Sequence, residues 1–338
     1  MIKFVGDINL TDWDFNFGFG IGSRIAQGFN PFSRLQRNEA DIWVGNFEGV
    51  ASDVTERKGM ASKVFRVSPS VLESLKHFDI YGFANNHAMQ HGTAAYGQTV
   101  EALEKYGSRV FGTNENRTII IEHQGRKLSL TGACFRVDEF TENPRYWYNP
   151  EYKEIEVELN SLPKDAYKVF FVHWGNEYIN RPSSAQKKFA HWLIDAGFDL
   201  VIGMHPHILQ GYEVYNGKHI FYSIGNFVFD MAWEPTRFGA MVNVDFSAGE
   251  VNVGTEYVQI GSDFAPRVID EKDVPEQYRF EKLNELLSIE KNSEEYHAAI
   301  NRYYKQYRKA NHKDIMKKMA GHPSVAFDII KDYIKRRF

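Results

Sequence analysis

The sequence predicts an α/β fold, a sheet of mostly buried strands with helices on both faces, and three observations carry that expectation. Short apolar runs recur along the chain, each ending at a polar, glycine-containing cluster, which is the pattern of strands covered on both faces. Stretches with apolar residues at helical spacing lie between the runs, as crossover helices do in such sheets. At 43% hydrophobic and 25% charged residues, a chain of 338 residues can bury a sizeable core.

In order, Ile2-Lys3-Phe4-Val5 runs into Gly6-Asp7, and Asp41-Ile42-Trp43-Val44 into Gly45-Asn46-Phe47-Glu48. Val71, Leu72, Leu75 and Phe78 then fall at helical spacing, with Ser68 placed to cap the helix and Pro69 to open it. The run Asp79-Ile80-Tyr81-Gly82-Phe83 leads into Ala84-Asn85-Asn86-His87. Val100, Leu103 and Tyr106 mark a second helix that Gly107 stops. From Thr118 to Cys134, two β-rich runs about Gln124-Gly125 predict a hairpin. Val169-Phe170-Phe171-Val172 precedes His173-Trp174-Gly175. Phe189, Trp192, Leu193 and Ala196 mark a helix that ends at Gly197. Leu200-Val201-Ile202 runs into Gly203-Met204-His205-Pro206-His207, and His219-Ile220-Phe221-Tyr222 into Ser223-Ile224-Gly225-Asn226.

Beyond about Pro266 the pattern becomes helical. Phe280/Leu283/Leu286/Leu287, Ile300/Tyr303/Tyr304/Tyr307 and Val325/Ile329/Tyr333 recur with charges between them, and Gly321-His322-Pro323 breaks the series. The expected organisation is a main domain over 1–265 and a helical C-terminal extension over 266–338 packed on it. The extension carries an excess of Lys and Arg over Asp and Glu. That is the composition of a solvated helix face or of a docking surface for a partner or anionic polymer.

A formal charge of -4 gives no electrostatic reason to expect nucleic acid, whose phosphates need a basic footprint. Cys134 is the single cysteine, so an intrachain disulfide and a thiolate cluster are both excluded. No window approaches 18 uninterrupted apolar residues, and MIKFVGDINL lacks the layout of a leader peptide. The expectation is a cytoplasmic chain with no membrane partner.

Ligands in open α/β sheets bind outside the carboxyl ends of the strands. If the runs lie side by side, Asp7, Asn9, Glu48, Asn86, His87, His173, His205 and His207 converge on one crevice. The set offers carboxylate and amide oxygen and imidazole nitrogen without sulfur, which suits Mn, Fe or Zn. Four histidines with two carboxylates exceed the needs of one open site and suit two divalent transition metal ions about 3.5–4 Å apart. Taken alone, His205-Pro206-His207 is equally a metal clamp, an acid/base pair or a polar turn.

Six motifs appear in order: GDIN at 6–9, NFEG at 46–49, ANNH at 84–87, HWGNEY at 173–178, HPH at 205–207 and YSIGNFVFD at 222–230. Together they resemble the CapA family, named for a poly-γ-glutamate capsule biosynthesis protein, which looks like a branch of the calcineurin-like metallophosphoesterases. The resemblance covers roughly residues 1–260. It implies a four-layer α/β/β/α sandwich and a dinuclear metal site. Asp7 and His207 would bind the first ion, with Asn9 where many metallophosphoesterases have histidine. Glu48 would bridge, in place of the usual aspartate. Asn86, His173 and His205 would bind the second ion, and His87 would be the general acid or a donor to a phosphoryl oxygen. Glu177 and Asn226 would contact substrate or support the ligands. Gln90 stands where the family pattern has an aspartate that would raise the His87 pKa.

Aromatic residues on predicted loops, Trp13 to Phe19, Tyr146-Trp147-Tyr148 and Trp233, offer stacking surfaces for a ligand or for the protein itself. Arg24, Arg66, Arg136, Arg145, Arg181 and Arg237 have loop-like contexts suited to clamping an anion, and Arg24 is nearest the Asp7 motif in sequence. Three functions follow. The first is a hydrolase using metal-activated water on a phosphoester or related anionic substrate, small or polymeric. The second is metal-independent proton transfer, such as peptide epimerisation. The third is an accessory role in capsule or exopolymer assembly.

Overall fold

The computed structural model describes the chain except residues 14–17, 75, 248, 289–292, 325, 328–329, 332–333 and 335–338. In chain order the strands are β1 (Ile2–Ile8), β2 (Ile42–Phe47), β3 (Val50–Ala51), β4 (Arg66–Val67), β5 (Ile80–Gly82), β6 (Arg109–Phe111), β7 (Thr118–His123) and β8 (Arg126–Cys134). They continue with β9 (Tyr167–His173), β10 (Leu200–Met204), β11 (Tyr212–Tyr215), β12 (Lys218–Phe221), β13 (Asn226–Val228), β14 (Phe238–Asp245), β15 (Asn252–Ile260) and β16 (Pro266–Ile269). The helices are α1 (Ile21–Ala26), α2 (Ser70–Ser74), α3 (Thr93–Lys105), α4 (Tyr152–Ser161), α5 (Ser184–Ala196), α6 (Phe280–Glu285) and α7 (Ser293–Gly321).

Two sheets carry the fold. One has the order β16-β15-β14-β1-β2-β5-β6, with β13 beside β1; the other runs β11-β12-β10-β9-β8-β7. Strand side chains alternate between faces, and each sheet uses both. Phe4, Val44, Val169 and Phe171 meet in a core between the sheets. Val5, Ile8 and Trp43 turn the other way, onto Ile21 and Ile25 of α1, Leu72 of α2 and Leu103 of α3. Phe170, Val172 and Val201 cover Ile155 and Leu159 of α4 and Leu193 and Ile194 of α5. The layers are therefore helix, sheet, sheet, helix, the four-layer α/β/β/α arrangement that the resemblance implies.

The central strands β1, β2, β5 and β6 are mutually parallel, as are β8, β9, β10 and β12. The predicted hairpin is β7–β8, joined by Gln124 and Gly125 at φ 51° and 73°, the backbone a two-residue turn of this hand requires. Gly197 closes α5 at φ 123°.

Several expectations change. β1 and β2 run on through Gly6-Asp7-Ile8 and Gly45-Asn46-Phe47, because β1 finds partners on both sides, including β13 at Asp7–Asn226. The first predicted helix is only α2. Phe78 lies beyond it in coil, and Leu75 is outside the described residues. Pro266–Ile269, the first residues of the expected extension, form an edge strand on β15, so helix begins with two short 3-10 turns at Glu271–Asp273 and Glu276–Tyr278 and α-helix only at α6. Tyr146, Trp147 and Trp233 are buried and serve the core rather than a ligand. Residues 14–17 of the first aromatic loop lie outside the described residues, as do 325, 329 and 333 of the last predicted helix. No helix among the described residues is long and apolar enough to cross a membrane.

Candidate metal centre

The carboxyl ends of parallel strands from both sheets meet at one place. Asp7 comes from a kink near the end of β1, where the register with both neighbouring strands shifts. Glu48 follows β2, Asn86 and His87 follow β5, His173 ends β9, and His205 and His207 follow β10. Asp7, Glu48, His173, His205 and His207 are all buried. His87, 9% exposed, is the most accessible of the carboxylates and imidazoles gathered here.

Glu48 is the hub. Its Oε1 lies 3.7 Å from His173 Nε2, 3.8 Å from His87 Nε2 and 3.9 Å from His207 Nε2. Asp7 Oδ2 is 3.5 Å from His207 Nδ1, and Asp7 Oδ1 is 3.9 Å from His173 Nδ1. Two ligand groups share the glutamate: Glu48 with His205 and His207, and Glu48 with Asp7 and His173, each with ligand atoms within 4.8 Å of one another. His205 Nδ1 and His173 Nε2 are 3.0 Å apart, and His173 Nε2 meets Asn86 Oδ1 at 2.8 Å, so Asn86, His173 and His205 adjoin as a further subset.

The polar atoms form a donor set that could hold a cation. Both Glu48 carboxylate oxygens, His205 Nε2 and His207 Nε2 are buried without a hydrogen-bond partner. Buried polar groups in native proteins are almost always paired. Glu48, His205 and His207 offer ligand atoms within 4.8 Å of one another, a carboxylate–imidazole set that could hold a divalent transition metal. Burial acts on the two carboxyls and on the imidazoles in the same sense, favouring the uncharged form of each. Burial raises the Asp7 carboxyl to about 7, against hydrogen bonds from Asn46 and His205 that favour its charged form. Burial, with the Asp7 and Glu177 charges nearby, pushes Glu48 well above the usual carboxylate range. Burial holds His173 and His205 well below the usual imidazole range and lowers His207 to about 3. The imidazoles are thereby held neutral, as metal ligands must be, and a cation would lower the two carboxyl pKa values and favour their charged form.

Other residues orient the set. Asn46 Nδ2 donates to Asp7 Oδ1 at 2.8 Å and lies 3.4 Å from His173 Nδ1. The His205 N–H donates to Asp7 Oδ2 at 3.1 Å. Asn226 Oδ1 faces His207 Nδ1 at 3.0 Å, placing the hydrogen there and leaving Nε2 as the ligand atom. His87 Nδ1 meets Gln90 Oε1 at 2.7 Å, which likewise directs an Nε2 lone pair toward Glu48. The His87 ring stacks on Phe65, centroids 3.9 Å apart, and burial lowers its pKa to about 4.

Two predicted residues do not join as expected. Asn9 Oδ1 accepts from the Thr11 N–H at 2.8 Å and the Thr11 hydroxyl at 2.6 Å, so its free group is the buried Nδ2, which cannot ligate a metal. Arg24 sits on α1, where Ile21 and Ile25 take the core face, and its guanidinium lies over Phe29 at 4.3 Å, away from the cluster. Glu177 is half-buried; burial raises its carboxyl pKa, and its charge acts on Glu48.

Two contributors were not singled out in the sequence. Asn46 lies in the same motif as Glu48, two residues before it at the end of a strand. Arg136 was one of six unranked arginines. It follows β8 by two residues, and its charge acts on His173, His205 and His207. Applying the strand-end rule to the second hairpin strand would have ranked it first.

Several known proteins are similar to this chain. A family profile described as "Bacterial capsule synthesis protein PGA_cap" matches residues 2–231. The chain is 31% identical over 259 residues to a protein from Bacillus subtilis named PGA biosynthesis protein CapA, covering 71% of this chain and 66% of that one. It is 33% identical over 181 residues to the capsule biosynthesis protein CapA of Bacillus anthracis, covering 49% and 43%. The matched region is thus about two thirds and less than half of the length of these two relatives. Among solved structures, a Mycoplasma pneumoniae protein described as a novel phosphatase superposes with a TM-score of 0.46 at 14% identity, over 79% of this chain and 92% of that one.

Proposed function

The chain belongs to the PGA_cap family of bacterial capsule synthesis proteins, and from that premise we propose that it is a metal-dependent hydrolase of an anionic substrate in capsule-type polymer chemistry. The observation that carries the reading is Glu48: a buried carboxylate with both oxygens unpaired, ringed by imidazole nitrogens within 3.9 Å. Asp7, Glu48, His173, His205 and His207 would hold two divalent ions, with Glu48 common to both. Such ions supply Lewis acidity toward a bound anion and acidify a bound water.

The chain's own groups do the rest. Asn46 and Asn226 fix the orientation of Asp7 and His207. His87 stands at the accessible edge with Nε2 toward the site, placed to take a proton from the attacking water or pass it to the departing oxygen. Phe65, stacked on its ring, holds the imidazole in that orientation. Arg136 adds positive charge beside the imidazoles, which favours an anionic substrate. Metal-free proton transfer is disfavoured, because it leaves Glu48 and two Nε2 atoms buried without a partner.

The test is turnover of a chromogenic phosphodiester with added Mn, Fe or Zn. The wild type turns over, and His87→Ala loses about 10²–10⁴-fold in kcat while keeping its metal. Full activity in chelator, or no activity with any of the three metals, contradicts the reading.

A further inference from the structure

Beside the ligand cluster, one flank of the molecule gathers hydrogen-bond donors that have nothing to bond. Arg181 is 8% exposed, and among the described residues its guanidinium has no hydrogen-bond or ion-pair partner; its charge acts on the Tyr296 phenol. It lines a cavity of about 520 Å³ together with Ser183, Ser184, Ala185 and Lys188. α5 begins at this cavity. Its capping box uses the N–H groups of Ser183 and Gln186, leaving those of Ser184 and Ala185 as first-turn donors.

A second cavity of about 820 Å³ shares Asn176, Ser183 and Ala185 with the first and reaches Arg136. Arg136 Nε and Gln186 Nε2, both on its wall, are buried without a partner. Lys187 and His191 belong to the fold, bonded to the Leu287 carbonyl at 2.8 Å and to Glu213 at 2.7 Å. The carboxylate on the wall, Glu151, is engaged in the α4 cap.

Every unpaired atom named here is a donor, and two of the groups are guanidinium cations. The Arg181 guanidinium opens onto the cleft with no acceptor among the described residues, and the buried Arg136 Nε has none either, so an anion in the cleft would complete both with charge-assisted bonds. We propose that the joined cleft binds a second oxyanion of the substrate, carboxylate or phosphate. Arg181 and the start of α5 hold it, and Arg136 lies between it and the metal centre. The substrate is then an extended molecule with at least two anionic groups. Assigning the anion to the substrate rests on the hydrolase reading; anion binding by the cleft does not.

The experiment is calorimetric titration and thermal unfolding of the full chain in chelator, with inorganic phosphate and with glutarate as probes. Saturable binding of either probe is expected in the wild type and in Asp7→Asn. Arg181→Met should weaken it by about tenfold or more, since charge-assisted bonds are the strong ones. Arg181→Met should also lose the rise in Tm that the probe gives. Lys188→Glu, a change at an exposed rim position, should weaken binding without altering the fold. Preference for glutarate identifies a carboxylate site, and preference for phosphate a phosphoryl site. The proposal is overturned if neither probe binds, if Arg181→Met and Lys188→Glu bind as the wild type does, or if binding is lost only in Asp7→Asn. Failure of phosphodiester turnover would count against the hydrolase alone and leave the anion titration unaffected.

Discussion

His205 and His207 both occupy backbone conformations that L-residues avoid, with φ of 96° and 59°. Such positions cost on the order of 1–3 kcal/mol each and persist where the surroundings enforce them. Here Asp7 Oδ2 accepts the His205 N–H, and the Pro206 carbonyl accepts the Tyr178 N–H at 2.9 Å. In chelator, where neither variant has a cation to gain, His205→Gly should therefore unfold at higher denaturant than His205→Ala, by about 1 kcal/mol. The reverse order would mean the turn is unstrained. In the sequence, Pro206 between two histidines left clamp, acid/base pair and turn open. The strain was not legible, because it arises where the end of β10 meets Asp7 of the other sheet. Asn9 is the opposite case: its side-chain bond to a residue two positions on is a local habit of asparagine, so its capture by Thr11 was readable.

β1 is the element on which the centre depends. At its carboxyl half it is paired with β2 on one side and β13 on the other, and the Asp7 N–H donates to the Gly225 carbonyl at 3.1 Å. A Cβ on Gly6 would overlap that same carbonyl. Gly6→Ala should therefore cost about 1–3 kcal/mol or more and displace Asp7, weakening metal binding. Gly254→Ala on β15, where a Cβ meets nothing within 4 Å, should change stability by no more than about 0.5 kcal/mol. Equal effects in urea unfolding would show that the crossing is not tight. The apolar runs located the buried strands because burial on both faces writes itself into composition. They stopped short of the true strand ends, because pairing through Gly6-Asp7 and Gly45-Asn46 depends on partners distant in sequence. Helical periodicity overextended α2 for a related reason: Phe78 is apolar because it packs in the core as coil, not because the helix continues.

Across the whole molecule, the C-terminal helix closes the wall behind the candidate metal centre. Tyr307 of α7 stacks on Tyr178 with centroids 3.9 Å apart, Asn311 Oδ1 accepts the Ala232 N–H at 2.9 Å, and Tyr178 in turn lies 6.0 Å from His207. Phe65, Phe229 and Trp233 belong to the same buried cluster. α7 is thus a brace on this cluster, with a charged outer face. Tyr307→Ala should cost on the order of 3 kcal/mol, read by chemical unfolding; a loss below about 0.5 kcal/mol would mark α7 as a loosely attached tail. Helical spacing in the sequence showed that an amphipathic helix was present, but the surface it covers is set by tertiary packing and was not legible. The central claim is that Asp7, Glu48 and the histidines form a divalent metal centre, and metal content after equilibrium dialysis against Mn, Fe or Zn tests it most directly. At pH 8 the wild type should retain a stoichiometry approaching two ions per chain, and Glu48→Gln much less. At pH 5, below the value of about 7 to which burial raises Asp7, protons compete for the carboxylates and retention should fall. A wild type that retains no metal at pH 8, or a Glu48→Gln variant that retains as much as the wild type, would contradict the claim.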